Sequence, residues 1–414
     1  MVLAVGVVAT SIVRVHEILP QLTGQLPFAK VLLGAALFSL VLGGQSSQLR
    51  RLSFRVPAVR FLGLYFVAML VSVPLSVYPG SAFGNALGTI PAYAAMFVVL
   101  SVALKDEDDV DALFLTLVSS VAMLGLGMLA GLGYSVVDET GVRRGITTMY
   151  DPNDIALLAA VAAPFALYFI GSRTRWRRFV GVAGLVGAVL LVVQSGSRGG
   201  LIALAVALAP SILRSSSVVS RRARVSMVIV GLAALPLIPS EYFERVRSIF
   251  HLGDDYNSSA QSGRKQLAIR GLGHFAAHPF LGVGFRQFSV ADGLSARKRG
   301  QTQGFAWMDP HNMYIQAAAE LGLLGLIAFC GLLASVLRPS AFSEKTALSR
   351  TRSLVMQIGT LQSSATAFMI GGFFLSAAYS PILIFLASVG AGLYVISDRM
   401  KRENHVIDKA RTPA

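Results

Sequence analysis

The sequence predicts an all-α, polytopic membrane protein with about twelve transmembrane helices and a helical loop region on one side. Two observations carry that expectation. Hydrophobic residues make up 54% of the 414 and charged residues only 14%, a balance that soluble domains do not show. Apolar runs long enough to cross a bilayer recur from end to end, parted by short clusters of arginine and lysine.

Taken in order, spans are expected at 2–14, 28–44, 60–77, 85–104, 110–133, 152–172, 178–194, 199–214, 226–239, 311–337, 353–377 and 380–397. The first is short and ends at Arg14. With this alternation, all the main basic clusters fall on one side: Arg50/Arg51/Arg55/Arg60, Arg173/Arg175/Arg177/Arg178, Arg214/Arg221/Arg222/Arg224, Arg338/Lys345/Arg350/Arg352 and the tail from Arg399 to Arg411. The positive-inside rule makes that side the cytoplasm and places both termini there. The whole chain, 1–414, is then one integral membrane domain. The net charge of +15 is explained by these clusters, so it does not call for nucleic acid. Cys330, the only cysteine, lies in an apolar run, which excludes a disulfide framework and a thiolate metal cluster. No basic segment precedes Val2 to Val13, so no cleavable leader is expected.

The opposite side receives the loops 15–27, 78–84, 134–151, 195–198, 240–310 and 378–379. The 240–310 segment, between spans 9 and 10, is too long for a connector. In it Ala268, Leu272, Phe275 and Ala276 share a helical face, suited to a helix lying on the bilayer or over a cavity. Arg264 heads that helix above Ala268 and Phe275, whereas Arg270 is rotated away, so Arg264 is the preferred ligand contact. His278-Pro279 and Gly282-Val283-Gly284 break the helix, and His274 and His278 read as loop packing residues.

Unusually much positive charge remains on this side: Arg143, Arg144, Arg198, Arg245, Arg247, Arg264, Lys265, Arg270, Arg286, Arg297, Lys298 and Arg299. Some of it can pair with Glu241, Glu244, Asp254, Asp255 or lipid headgroups. Guanidinium groups beside membrane helices also suit phosphate or pyrophosphate, to which they offer paired donors. Arg198 is the sharpest case. It stands in Ser195-Gly196-Ser197-Arg198-Gly199-Gly200 between two apolar runs, where an ionisable group is costly.

Asp309-Pro310-His311-Asn312 meets a renewed apolar run and reads as a helix start, with Asp309 as cap and Pro310 in the first position. His311 then lies in the first turn, where the helix dipole favours the neutral ring that accepts a proton. The bland alternative is a helix-start histidine bonded to a carbonyl. Asp151-Pro152-Asn153-Asp154 repeats the capping chemistry. Helix initiation accounts for it, with Tyr150, Asn153 and Asp154 as candidate sugar contacts. Arg270, Arg286, Asn312 and Tyr314 complete the candidate substrate-binding set.

His311-Asn312, nine residues, then Gly322-x-x-Gly325 resembles the signature of the O-antigen ligase and O-antigen polymerase superfamily of bacterial envelope proteins, closest to the ligases. The resemblance extends to Ser197-Arg198-Gly199-Gly200 at a helix break and to an arginine heading a helix that leads into His278-Pro279-Phe280-Leu281-Gly282-Val283-Gly284. It covers residues 140 to 340. It implies a multi-pass glycosyltransferase of the inner membrane with a periplasmic active site. The donor would be an undecaprenyl-pyrophosphate-linked glycan and the acceptor a sugar hydroxyl of lipid A-core, with no metal and no other cofactor. By the same resemblance His311 is the general base, and Arg198 and Arg264 hold the pyrophosphate as charge builds on it. Attack opposite the leaving group implies inversion at the anomeric carbon. A polymerase with a second lipid-linked glycan as acceptor and a protein O-oligosaccharyltransferase remain open, as does a multispan transporter of an anionic substrate.

Overall fold

The structure, a computed structural model, describes residues 1–18, 27–43, 49, 51–138, 141–147, 150–213, 221–234, 263–298, 300, 308–338 and 352–411. Each expected span holds a helix. In order these are α1 (Val2–Val7, prolonged by a π-helical stretch Val8–Val13), α2 (Phe28–Leu42), α3 (Pro57–Ser72), α4 (Pro79–Ala103), α5 (Glu107–Leu129), α6 (Pro152–Ile170), α7 (Arg175–Ser195), α8 (Arg198–Leu213) and α9 (Arg221–Ala234). The described part of the long loop adds α10 (Arg264–Ala277) and α11 (Phe288–Lys298), and the chain ends with α12 (Met313–Leu337), α13 (Arg352–Gly371) and α14 (Pro381–Arg411). Six of these, α4 to α7, α12 and the Pro381–Glu403 part of α14, are long and apolar enough to cross a membrane. α1, α2, α3 and the start of α8 are apolar but shorter. The chain is a membrane protein, and among the described residues six helices, not the expected twelve, have the length and apolarity to cross a membrane.

Two loops differ from expectation. α4 begins at Pro79 and absorbs most of 78–84, because proline at the first position needs no N–H partner. The 134–151 loop contains an antiparallel hairpin, β1 (Tyr134–Asp138) and β2 (Gly141–Gly145), pairing Tyr134 with Gly145 and Val136 with Arg143. The aromatic and β-branched run Tyr134-Ser135-Val136-Val137 suits a strand, a local hairpin in a chain that is otherwise all-α as expected.

α6 is the pillar of the bundle. Its side chains are buried without a break from Ile155 to Ala166, with α7, α8 and α13 packed around it, the place for a helix that is apolar all round. α7 comes close through glycine: a methyl group on Gly187 would lie 2.8 Å from Ala122 Cα, and one on Gly181 2.7 Å from the Ala166 carbonyl oxygen. Small residues let backbones touch where lipid supplies no hydrophobic drive. At the far end of α6 the buried Asp111 of α5 accepts from Tyr168 (2.8 Å), Arg177 (2.7 Å) and Gln357 (2.9 Å). That cluster ties α5, α6, α7 and α13 together at the end where the basic clusters were expected.

Candidate functional site

Four helices begin at the other end of α6, and their first residues carry the site. Asp151 caps α6, accepting from the backbone N–H of Asn153 (2.7 Å) and Asp154 (2.9 Å). The Asn153 side-chain oxygen accepts from Arg143 Nη2 at 2.7 Å, while Arg143 Nε donates to the Ser195 carbonyl at 3.0 Å. The hairpin arginine thus ties the end of α7 to the start of α6. Gly196 closes α7 with a left-handed φ of 63°, and Ser197 Oγ accepts from Gly200 N at 3.1 Å, capping α8. Arg198 is the first, half-buried residue of α8. A methyl group on Gly199 would fall 2.8 Å from Phe374 Cβ and one on Gly200 2.4 Å from Ala156 Cβ. Gly199 thus sets the start of α8 against Phe374, and Gly200 sets it against α6.

The segment 372–376 holds His311. The His311 N–H donates to Ser376 Oγ (2.9 Å) and Asn312 Nδ2 to the Phe373 carbonyl (3.2 Å). Asn312, not Asp309, caps α12, accepting from Tyr314 N (3.0 Å) and Ile315 N (3.1 Å). His311 therefore precedes the helix, with a left-handed φ of 47° that breaks any continuation from Asp309 and persists in a non-glycine residue only where the surroundings impose it. Its imidazole is held below the usual 6.5, first by burial and then by the Arg264 guanidinium, with Asp151 opposing. The ring is neutral as expected, but burial and a cation hold it so, where the dipole had been invoked.

Arg264 opens α10 and lies on the same side as Leu267 and Gly271, the two buried residues of that helix. Of the face shared by Ala268, Leu272, Phe275 and Ala276, Leu272 and Ala276 are exposed and the other two half-buried. The reason is contact: a methyl group on Gly271 would fall 2.3 Å from Ile315 Cγ2 and Leu267 packs with Ala319, so the Leu267–Gly271 face docks on α12. Arg270 is turned inward onto Asp292, its Nε 2.8 and 3.0 Å from the two carboxylate oxygens. His274 packs edge-on to Phe288 with Nε2 3.7 Å from Asp292, the packing role expected. Arg270 thus serves the fold through Asp292.

α12, expected to run unbroken, is interrupted at Gly322 (φ 65°, ψ −160°). The carbonyls of Ala319 and Glu320, freed by the break, accept from Val283 N and Gly284 N, each at 2.9 Å, and Leu323 N donates instead to the Pro279 carbonyl at 2.7 Å. The two glycine-containing motifs, far apart in the chain, are one structural unit. Within it Arg286 has a left-handed φ of 55°, with its guanidinium 5.8 Å from the ring centres of Phe285 and Tyr379. Desolvation pushes the Asp309 carboxyl up, and the Arg286 charge opposes that shift.

Residues 183–330, from α7 into α12, match the model of the family described as O-antigen ligase. The chain is also 25% identical over 316 residues, covering 70% of this chain and 67% of the relative, to the exopolysaccharide production protein ExoQ of Rhizobium meliloti strain 1021. Both similarities support the O-antigen ligase and polymerase superfamily.

Of the three residues expected from sequence to be catalytic, Arg264 acts electrostatically on His311, while Arg198 opens α8 next to Gly199, which lies against Phe374. Other expected contacts are spent on the fold. The Tyr150 hydroxyl donates to the Ile12 carbonyl at 2.8 Å and that of Tyr314 to the Met369 carbonyl at 3.1 Å. Asn153 and Asp154 stand at the cap of α6, with Asn153 held by Arg143. Sequence reasoning missed Arg143 as a brace, Ser376 and the buried Glu320. Glu320 did have a signal, an ionisable residue inside an apolar run.

Proposed function

We propose that the protein transfers a glycan from an undecaprenyl-pyrophosphate carrier to a sugar hydroxyl of lipid A-core, at the periplasmic face of the inner membrane. The observation that supports this reading is a buried imidazole, His311, just before α12, with its pKa lowered by burial and Arg264 and with Asp151 acting on it from the start of α6. His311 takes the proton from the attacking hydroxyl. The oxygen attacks the anomeric carbon from the face opposite the diphosphate, and the bond to the diphosphate oxygen breaks with inversion. Arg198 and Arg264 meet the charge that builds on the departing group, aided by the positive ends of the surrounding helices. Arg286 and Asn312 line the approach, and no step calls for a metal ion. Membrane lipid covers the exposed apolar side chains of the bundle.

A second reading differs only in the acceptor. The relative named for exopolysaccharide production favours a polymerase, in which a second lipid-linked glycan supplies the hydroxyl. Reconstitution with a lipid-diphosphate glycan and both acceptors in competition decides between them. Glycosylated lipid A-core supports the ligase and lengthened lipid-linked glycan the polymerase. Absence of either product, with His311→Ala indistinguishable from wild type, would overturn the glycosyl-transfer reading.

A further inference from the structure

Glu320 is 1% exposed in the middle of an apolar helix, and its two carboxylate oxygens are both committed to the loop segment that crosses the broken helix. Oε2 accepts from Arg286 N at 3.0 Å and Oε1 from Phe288 N at 3.1 Å. Its own carbonyl accepts from Gly284 N at 2.9 Å. One residue therefore holds three alternate backbone donors of the 284–288 turn, those of Gly284, Arg286 and Phe288. The last of them, Phe288, begins α11, whose first N–H groups have no partner within the helix. The turn is tight: Arg286 takes a left-handed backbone at φ 55°, which costs a non-glycine residue free energy unless fixed from outside. The Arg286 side chain leaves this turn over the rings of Phe285 and Tyr379 and acts electrostatically on Asp309, two residues before His311. Its head is exposed whereas its backbone is clamped.

We propose that Glu320 is a positioning residue that, by holding the Arg286 backbone, aims the Arg286 guanidinium at the diphosphate of the donor beside His311. This rests on the reading above for the identity of the diphosphate, but the Glu320–Arg286 coupling is measurable without glycan transfer. Its carboxyl oxygens accept from two backbone N–H groups and also face the Tyr379 hydroxyl; an amide presents one acceptor oxygen and would meet the second N–H with its own donor.

The test uses the full-length protein purified in detergent and inorganic pyrophosphate as probe, with Glu320→Gln, Glu320→Asp, Arg286→Ala and the Glu320→Gln/Arg286→Ala pair. Glu320→Gln is expected to weaken pyrophosphate binding by about tenfold, close to the loss in Arg286→Ala, and the double variant no further than Arg286→Ala alone. Glu320→Asp, which keeps both acceptors, is expected to recover part of the affinity. Additive losses in the double variant, wild-type affinity in Glu320→Gln, or wild-type affinity in Arg286→Ala would each overturn the proposal. The Arg286→Ala arm decides even if Glu320→Gln fails to fold. Where donor turnover is available, the loss is expected in KM for the lipid diphosphate, with KM for the acceptor unchanged. A wild-type protein that binds pyrophosphate through this pair yet transfers no glycan would sink the proposed reaction and leave the pair standing.

Discussion

Gly282 and Gly322 lie back to back, each against the other's chain. A methyl group on Gly282 would sit 2.3 Å from the Glu320 carbonyl carbon, and one on Gly322 2.3 Å from that of Phe280; both residues have φ of 65°. The pair lets the 279–284 segment enter the broken α12 and exchange hydrogen bonds with it. Alanine at either position has two faults, a left-handed backbone that costs about 1–2 kcal/mol and overlap with main chain that has nowhere to move. Gly282→Ala and Gly322→Ala are expected to lower the thermal midpoint in detergent by several degrees and to lose pyrophosphate binding with it. A midpoint equal to wild type in both would mean that the lock does not hold the loop.

His311 offers a titration with a definite sign. On the proposed mechanism the neutral ring is the active form, and its pKa is lowered from 6.5 in the folded protein. Activity is therefore expected to persist below pH 6.5 and to fall as the pH drops through the lowered value. Arg264→Gln removes a neighbouring cation, so the inflection of the residual rate moves up. Asp151→Asn keeps the cap, since asparagine caps as well as aspartate, but removes the anion, and the inflection moves down. Rate profiles from pH 5 to 8 measure both shifts. Shifts in the opposite sense would show that some other group governs the profile. His311→Ala is expected to abolish transfer in a folded protein.

The helices were legible because apolar run length speaks directly of membrane crossing. The two ends of the bundle separate these groups: Asp111, Arg177 and Gln357 meet at one end of α6, while Asp151 and Arg264 act on His311 at the other. What stayed hidden depends on contacts between distant segments. Asn312 takes the cap of α12 because Ser376 and Phe373 hold residues 311–312 in a conformation that local propensity does not favour. The inward face of α10 is set by how closely Gly271 approaches Ile315, which no hydrophobic pattern records. The break at Gly322 draws its partners from residues 279–284, a pairing invisible in either stretch alone.

Arg198 tests whether geometry or charge alone is needed. It opens α8 in a shell set by Ser197, Gly199 and Gly200, which fixes where its head reaches. If it holds diphosphate oxygens in pairs, Arg198→Lys keeps the charge and loses the fork. Transfer is expected to fall about a hundredfold, of the order lost with one donor to a developing charge, with no change in thermal midpoint. Full activity in the lysine variant would reduce the role of Arg198 to charge.

The cluster at the opposite end gives the control in which stability changes and chemistry does not. Asp111 accepts from three side chains on three helices, so Asp111→Ala leaves Tyr168, Arg177 and Gln357 without that acceptor in a mostly buried setting. Each lost partner of a buried donor costs about 1–3 kcal/mol, and the Arg177 share is discounted because its side chain is 32% exposed. Asp111→Ala is therefore expected to lower the thermal midpoint markedly. Asp111→Asn, which keeps an acceptor oxygen, is expected to lower it less. Pyrophosphate affinity should be that of wild type in both, since the cluster lies a helix length of α6 away from His311. A loss of affinity in folded Asp111→Asn would show that the two ends of the bundle are coupled through α6.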